Sequence, residues 1–218
     1  MRHELALFDL DGVIVDTAKY HFISWRKIAK SFNYELKTED NQKLKGLSRS
    51  DSLNQILNLA KTTLDPSSFK IYLEKKNQDY LNYVREITVD DILPGILEAL
   101  DFLDKRRIKI ALGSASKNAR LILDQLEITS FFKIVIDGNQ VKKSKPHPEV
   151  FLKASSEMGI NSKKCVVFED SQAGIIAAKA AGMTAVAIGD RNDFANYDFC
   201  YPNFTSINTG ELEMLFKN

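Results

Sequence analysis

The sequence predicts an α/β fold: a parallel sheet covered by helices on both faces, with a helical cap inserted near the N-terminus. Three observations carry this expectation. Short apolar runs ending in glycine or acidic residues recur along the chain. Helical patterns of 10–15 residues separate them, as a buried parallel sheet requires. One stretch, residues 16–91, carries helical patterns and no convincing strand.

The first strand is expected over Leu5–Leu10, an apolar run turned by Gly12. Ile108–Gly113, Lys133–Asp137, Lys164–Asp170 and Thr184–Gly189 read as the next four, and Phe199–Tyr201 as a short edge strand. Helices are expected over Pro94–Lys105, Lys117–Gln125, Pro148–Met158 and Gln172–Ala181, the last capped by Ser171 and ended by Gly182. These elements make a Rossmann-like core from residues 1–15 and 92–218, with residues 16–91 as the helical cap. Ser48 to Asp51 reads as a capped helix start within that insert. The insert leaves directly after the first strand, where open α/β sheets bind their ligands.

Composition excludes several classes. The 218 residues are 44% hydrophobic and 27% charged, an ordinary globular balance. A net charge of +1 gives no electrostatic case for nucleic acid or an anionic membrane. No run approaches the roughly 20 apolar residues needed to span a bilayer. Asp9 and Asp11 interrupt any secretory leader, so a cytoplasmic protein is expected, and a monomer. Cys165 and Cys200 lack metal-binding spacing and read as buried free thiols.

The acids carry the chemistry. Asp9 and Asp11 fall where the first strand ends, and Glu169 and Asp170 where the fourth ends. In a parallel sheet both pairs reach one edge, so four carboxylates can converge. Two like charges 4 Å apart repel by about 4 kcal/mol at an effective dielectric near 20. A hard divalent cation relieves that repulsion, and an all-oxygen donor set suits Mg²⁺.

Two further segments suit a phosphate. In "GSASKN", Ser114 and Ser116 offer hydroxyls beside a helix start, together with free backbone N–H groups. In "KSKPHPEVF", Lys145 precedes Pro146, whose fixed φ limits the local backbone, and can neutralise a phosphoryl oxygen.

The order Asp9-x-Asp11, Ser114, Lys145, Glu169-Asp170 resembles the haloacid dehalogenase superfamily of phosphotransferases over nearly the whole chain. The resemblance implies that Asp9 is a nucleophile forming an aspartyl-phosphate. It also implies Mg²⁺ held by Asp9, the Asp11 carbonyl and Asp170, with Glu169 close by. Asp11 would be the general acid/base, kept protonated by the neighbouring acids.

The insert narrows the likeness. "DTAKYHFISW", "LKGLSRSDSL" and "KKN", together with "GSASKN", are similar to the β-phosphoglucomutases of that superfamily. Those enzymes interconvert β-glucose 1-phosphate and glucose 6-phosphate through a bisphosphate. By this likeness Thr17 and His21 assist Asp11. Trp25, Lys45, Gly46, Leu47, Ser52 and Lys76 line the sugar side from the cap. Arg49 grips the non-reacting phosphate, although Asp51 and Asp40 are alternative partners for its charge. Ala115, Ser116, Lys117 and Asn118 contact the substrate from the core. The partner is thus a small sugar phosphate. A sugar-phosphate phosphatase on the same scaffold is the competing expectation, since it needs only one phosphate site. The segment after Arg191 carries no functional motif.

Overall fold

Alternation along each strand sends successive side chains to opposite faces, and the apolar runs of this chain supply both. The computed structural model describes residues 2–216, so residues 1, 217 and 218 of the expected core lie outside it. Its strands are β1 (Leu5–Phe8), β2 (Lys109–Gly113), β3 (Ile134–Ile136), β4 (Cys165–Glu169), β5 (Thr184–Ile188) and β6 (Phe199–Tyr201). They form one parallel sheet in the order β3-β2-β1-β4-β5-β6, a doubly wound arrangement with β1 and β4 adjacent at its centre.

One face buries Ala6 and Phe8, Ile110 and Leu112, Val166 and Phe168 under three helices: α5 (Ile96–Lys105), α6 (Ala119–Gln125) and α9 (Thr209–Phe216). The other buries Leu5 and Leu7, Ala111, Cys165 and Val167 under α7 (Glu149–Glu157) and α8 (Gln172–Ala180). In the order of the chain these helices follow α1 (Ala18–Lys30), α2 (Thr38–Gln42), α3 (Arg49–Leu59) and α4 (Pro66–Val84), which lie between β1 and α5.

Three of them, α1, α3 and α4, hold a separate apolar cluster of Trp25, Ile28, Leu53, Ile56 and Leu57 with Phe69 and Leu73. Tyr80 and Val84, at the far end of α4, instead join the cluster on the sheet. The chain enters and leaves the helical segment side by side: Val15 bridges Ile92, and the Leu93 N–H donates to the Ile14 carbonyl at 2.8 Å. Among the described residues no helix is long and apolar enough to cross a membrane. Cys165 is buried as expected, whereas Cys200 on the edge strand is only half-buried.

Candidate active site

The site is built where β1 and β4 end side by side. Asp9 continues the ladder past β1, its N–H donating to the Phe168 carbonyl at 3.0 Å. The chain then turns at Gly12, with φ at +83°. A Cβ there would stand 2.2 Å from Asp170 Oδ2, so the close approach of the two strand ends requires glycine. In the first turn of α8, a Cβ on Gly174 would meet Glu169 Oε1 at 1.8 Å. Ser171 caps that helix through a 3.1 Å bond from the Gly174 N–H, and its own N–H and hydroxyl donate to Glu169 Oε2 at 2.8 and 2.9 Å.

Glu169 is thereby held with its other oxygen towards Lys145. The Lys145 ammonium, 1% exposed, donates to Asp9 Oδ1 at 2.6 Å and to Glu169 Oε1. The loop that delivers it is tied back on itself: the N–H groups of Lys142 and Lys143 donate to the Glu149 carboxylate at 2.9 and 3.0 Å. Burial opposes the charge on Lys145, but Asp9 and Glu169 outweigh it and raise its pKa.

Asp9, Glu169 and Asp170 each offer a ligand oxygen within 4.8 Å of the others. Burial, with the charges of Glu169, Asp11 and Asp170 and against that of Lys145, pushes Asp9 well above the usual carboxylate range. Burial, with the charges of Glu169 and Asp11 and against that of Lys45, pushes Asp170 up to about 7. Three crowded acids that offer oxygen donors only, two of them with raised pKa values, Asp9 and Asp170, are a set that fits a hard divalent cation.

The Asp11 carboxylate does not join them. It turns towards the helical segment, where Oδ1 accepts from the Thr17 hydroxyl and lies 3.4 Å from both the Tyr80 hydroxyl and His21 Nε2. Three carboxylates rather than four therefore converge. The protonation expected for Asp11 is also reversed. Burial resists its charge, yet His21, Thr17 and Lys76 prevail and lower its pKa, because these groups rather than the acids face its oxygens.

Behind His21 the buried Lys76 ammonium stands 2.7 Å from Nδ1, over the rings of Tyr80 and Trp25 at 4.4 and 5.1 Å. Burial and Arg49 drive the Lys76 pKa well down.

A cavity of about 80 Å³ joins these groups. Asp9, Asp11, Asp170, Ala115, Ser116, Lys117 and Asn118 line it from the sheet, and His21, Trp25, Lys45, Gly46, Leu47, Arg49, Ser52 and Lys76 from the helical segment. Lys145, Glu169, Thr17 and Ser114 stand behind that lining.

Two details differ from expectation. The N–H groups of Ser116 and Asn118 are engaged by the hydroxyls of Ser114 and Ser116, at 3.0 and 3.2 Å, so the serines shape the turn and those N–H groups are not free. Neither acid near Arg49 in sequence pairs with it: Asp40 accepts from Tyr34 at 2.8 Å, and Asp51 from Ser48 at 2.6 Å and from Ser144.

Sequence reasoning missed Tyr80, Asn41, Ala18 and Leu44. Tyr80 follows Lys76 by one helical turn and so shares its face, a signal that was available.

Comparison with known proteins gives one consistent likeness. A family model described as haloacid dehalogenase-like hydrolase matches residues 6–188. β-Phosphoglucomutase of Bacillus subtilis (strain 168) is 40% identical over 185 residues, spanning 84% of this chain and 82% of that protein. A phosphorylated carbohydrates phosphatase of Thermotoga maritima is 30% identical over 187 residues, spanning 84% and 83%. The crystal structure of β-phosphoglucomutase from Clostridium difficile matches with a TM-score of 0.94 at 36% identity, over 98% of this chain and 97% of that one.

Proposed function

The chain belongs to the haloacid dehalogenase-like hydrolase family, and from that premise we propose that it is a magnesium-dependent sugar-phosphate mutase interconverting β-D-glucose 1-phosphate and glucose 6-phosphate. Asp9 is the nucleophile. Its free carboxylate oxygen attacks phosphorus while Lys145 holds the other, and the aspartyl-phosphate bond forms as the ester P–O bond breaks. Asp11, ionised in the resting site, gives the leaving sugar oxygen the proton that it took up in the opposite half. In the reverse half it takes the proton from the sugar hydroxyl that attacks phospho-Asp9. Phosphorylating glucose 1-phosphate at its 6-hydroxyl yields β-glucose 1,6-bisphosphate, which turns round and returns its 1-phosphoryl group to Asp9.

Asp9, the Asp11 carbonyl and Asp170 would hold Mg²⁺ with Glu169 beside them; when bound, the ion supplies positive charge to the phosphoryl oxygens. His21 and Thr17, both on Asp11, keep it ionised for the base step and orient it for the acid step. Residues 16–91 act as a lid over a core of residues 1–15 and 92–218. Closure excludes water, which would otherwise compete with the sugar hydroxyl for phospho-Asp9.

One observation carries the choice of a mutase: Asp9 on the sheet wall and Arg49 on the helical wall face one cavity. A bisphosphate bound in either orientation needs a cation for the phosphate that is not reacting, and a guanidinium suits that role. Among the described residues Arg49 makes no ion pair: Asp40 and Asp51 are engaged elsewhere, and Glu74 acts on it only through space. The 40% identity to the Bacillus subtilis mutase supports the same choice.

The test supplies β-glucose 1-phosphate, Mg²⁺ and a trace of the 1,6-bisphosphate, then follows both products. Glucose 6-phosphate with little inorganic phosphate is expected. Inorganic phosphate as the main product would make the chain a sugar-phosphate phosphatase, like its Thermotoga maritima relative.

A further inference from the structure

We infer that Lys45 is the resident counter-ion of the carboxylate cluster, and that its ammonium and a divalent cation compete for Asp170. The Lys45 Nζ stands 3.1 Å from Asp170 Oδ2, with the lysine side chain 27% exposed and the carboxylate 9%. Asp170 is also one of the three acids whose ligand oxygens converge. Two cationic centres sharing one carboxylate repel each other, so each weakens the hold of the other.

Lys45 differs from Lys145 in its freedom. Lys145 is 1% exposed and bound by two acids at once. Lys45 comes from the loop between α2 and α3 and has Asp170 as its acid partner. Gly46 lets that loop approach: its φ is +73°, and a Cβ there would stand 2.3 Å from the Ser171 hydroxyl oxygen. The ion pair and this close approach together dock the loop on the strand ends.

Lys45 also has room to leave. It and Asp170 line the sugar-side cavity and, on the other side, a second cavity of about 400 Å³ walled by Gly12, Asp16, Leu93, Asp193 and Phe204. Six waters at their liquid share occupy roughly 180 Å³, so this cavity can take the displaced ammonium together with its hydration water. The lysine displaced from Asp170 has a replacement partner in an anion bound at Ser116 and Lys117, which line the sugar-side cavity together with Lys45. Loading the cation thus frees a positive charge for a phosphate ligand, and by linkage the two ligands favour each other.

The inference rests on the cation reading of the proposed function but not on the mutase assignment. Its test uses Mn²⁺ as the probe, titrated into the full-length protein without sugar phosphate, with free Mn²⁺ read by electron paramagnetic resonance. Lys45→Met binds Mn²⁺ at least about fivefold more tightly than wild type, the lower end of usual coupling between sites. Lys45→Arg, which keeps the charge, stays near wild type. Lys70→Met, which removes an exposed charge on α4, also stays near wild type. Lys45→Gln stands in if methionine disturbs the loop, as circular dichroism would reveal. Unchanged or weaker binding in the methionine and glutamine variants overturns the inference, and so does an equal gain in Lys70→Met. Failure of wild type and variants alike to hold Mn²⁺ overturns the cation reading together with it. Absent mutase activity leaves this readout intact.

Discussion

Asp9 and Asp11 stand two residues apart in opposite surroundings, and their division of labour begins there. Asp9 faces Lys145 and other acids, whereas Asp11 faces a hydroxyl, a phenol and an imidazole. Asp9→Asn keeps the size and removes the carboxylate proposed as the nucleophile, so turnover should fall at least about a thousandfold. Glucose 6-phosphate formation measures it, and near-normal rates would take the nucleophile's role from Asp9. Lys76 gives a second residue-level expectation. Its ammonium is buried against His21 without a carboxylate partner in hydrogen-bonding contact. Lys76→Met should therefore stabilise the folded protein by about 1 kcal/mol or more, while harming activity. The sign with pH follows from the lowered pKa. Between the folded and unfolded pKa values the unfolded chain binds more protons, so wild-type stability rises with pH. The advantage of the methionine variant should then shrink as pH climbs towards the ordinary lysine range. Paired thermal melts across pH measure it, and a constant difference would contradict the assignment. The acids, Lys145 and most of the lining residues were legible because each sits at a strand end or in a short motif, whereas Ala18, Asn41 and Leu44 were not singled out. The direction of the Asp11 carboxylate was not, because Tyr80, 69 residues away in sequence, helps to set it.

At the scale of elements, helix α8 is part of the site. Ser171 caps it and also holds Glu169, which in turn braces Lys145. Ser171→Ala removes one capping bond and one buried hydroxyl–carboxylate bond, and should destabilise the fold by about 1–2 kcal/mol. Urea unfolding measures this, and a change near zero would mean that water replaces both bonds. The strands were legible from their apolar runs, but each of the first five was read one or two residues too long. The sheet pairing stops at Phe8, Gly113, Ile136, Glu169 and Ile188, where the chain turns to present side chains. Helix α5 begins at Ile96 and not at Pro94, because Gly95 adopts φ +88° immediately before it. Local pattern cannot locate such a stop, since the bend depends on Phe204 and Thr205 pressing against Gly95 from another part of the chain. Strand order was equally hidden. Nothing in the apolar runs says that β4 pairs with β1, yet that pairing brings the two acid pairs together.

At the scale of the molecule, the proposed mechanism makes the contacts between the helical segment and the sheet decide which acceptor phospho-Asp9 would meet. Asn118 donates to Asn77 at 3.1 Å, and Ser144 donates to Asp51 across the same boundary. Asn77 and Ser144 do not line the cavity. Their bonds instead join α4 to the turn before α6, and the start of α3 to the loop carrying Lys145. A mutase depends on such a seal, because water at bulk concentration competes with one bound hydroxyl for the aspartyl-phosphate. The double variant Asn77→Ala, Ser144→Ala should leave Asp9, Asp11 and Lys145 in place and weaken the closed arrangement. Each lost bond is worth about 1 kcal/mol, so losing both should raise a small open population roughly thirtyfold. The expected result is a severalfold rise in inorganic phosphate released per glucose 6-phosphate formed, with Mn²⁺ affinity little changed. A fall in both products together, at an unchanged ratio, would mean that these contacts serve folding or substrate capture, and that water is kept out by the residues lining the cavity.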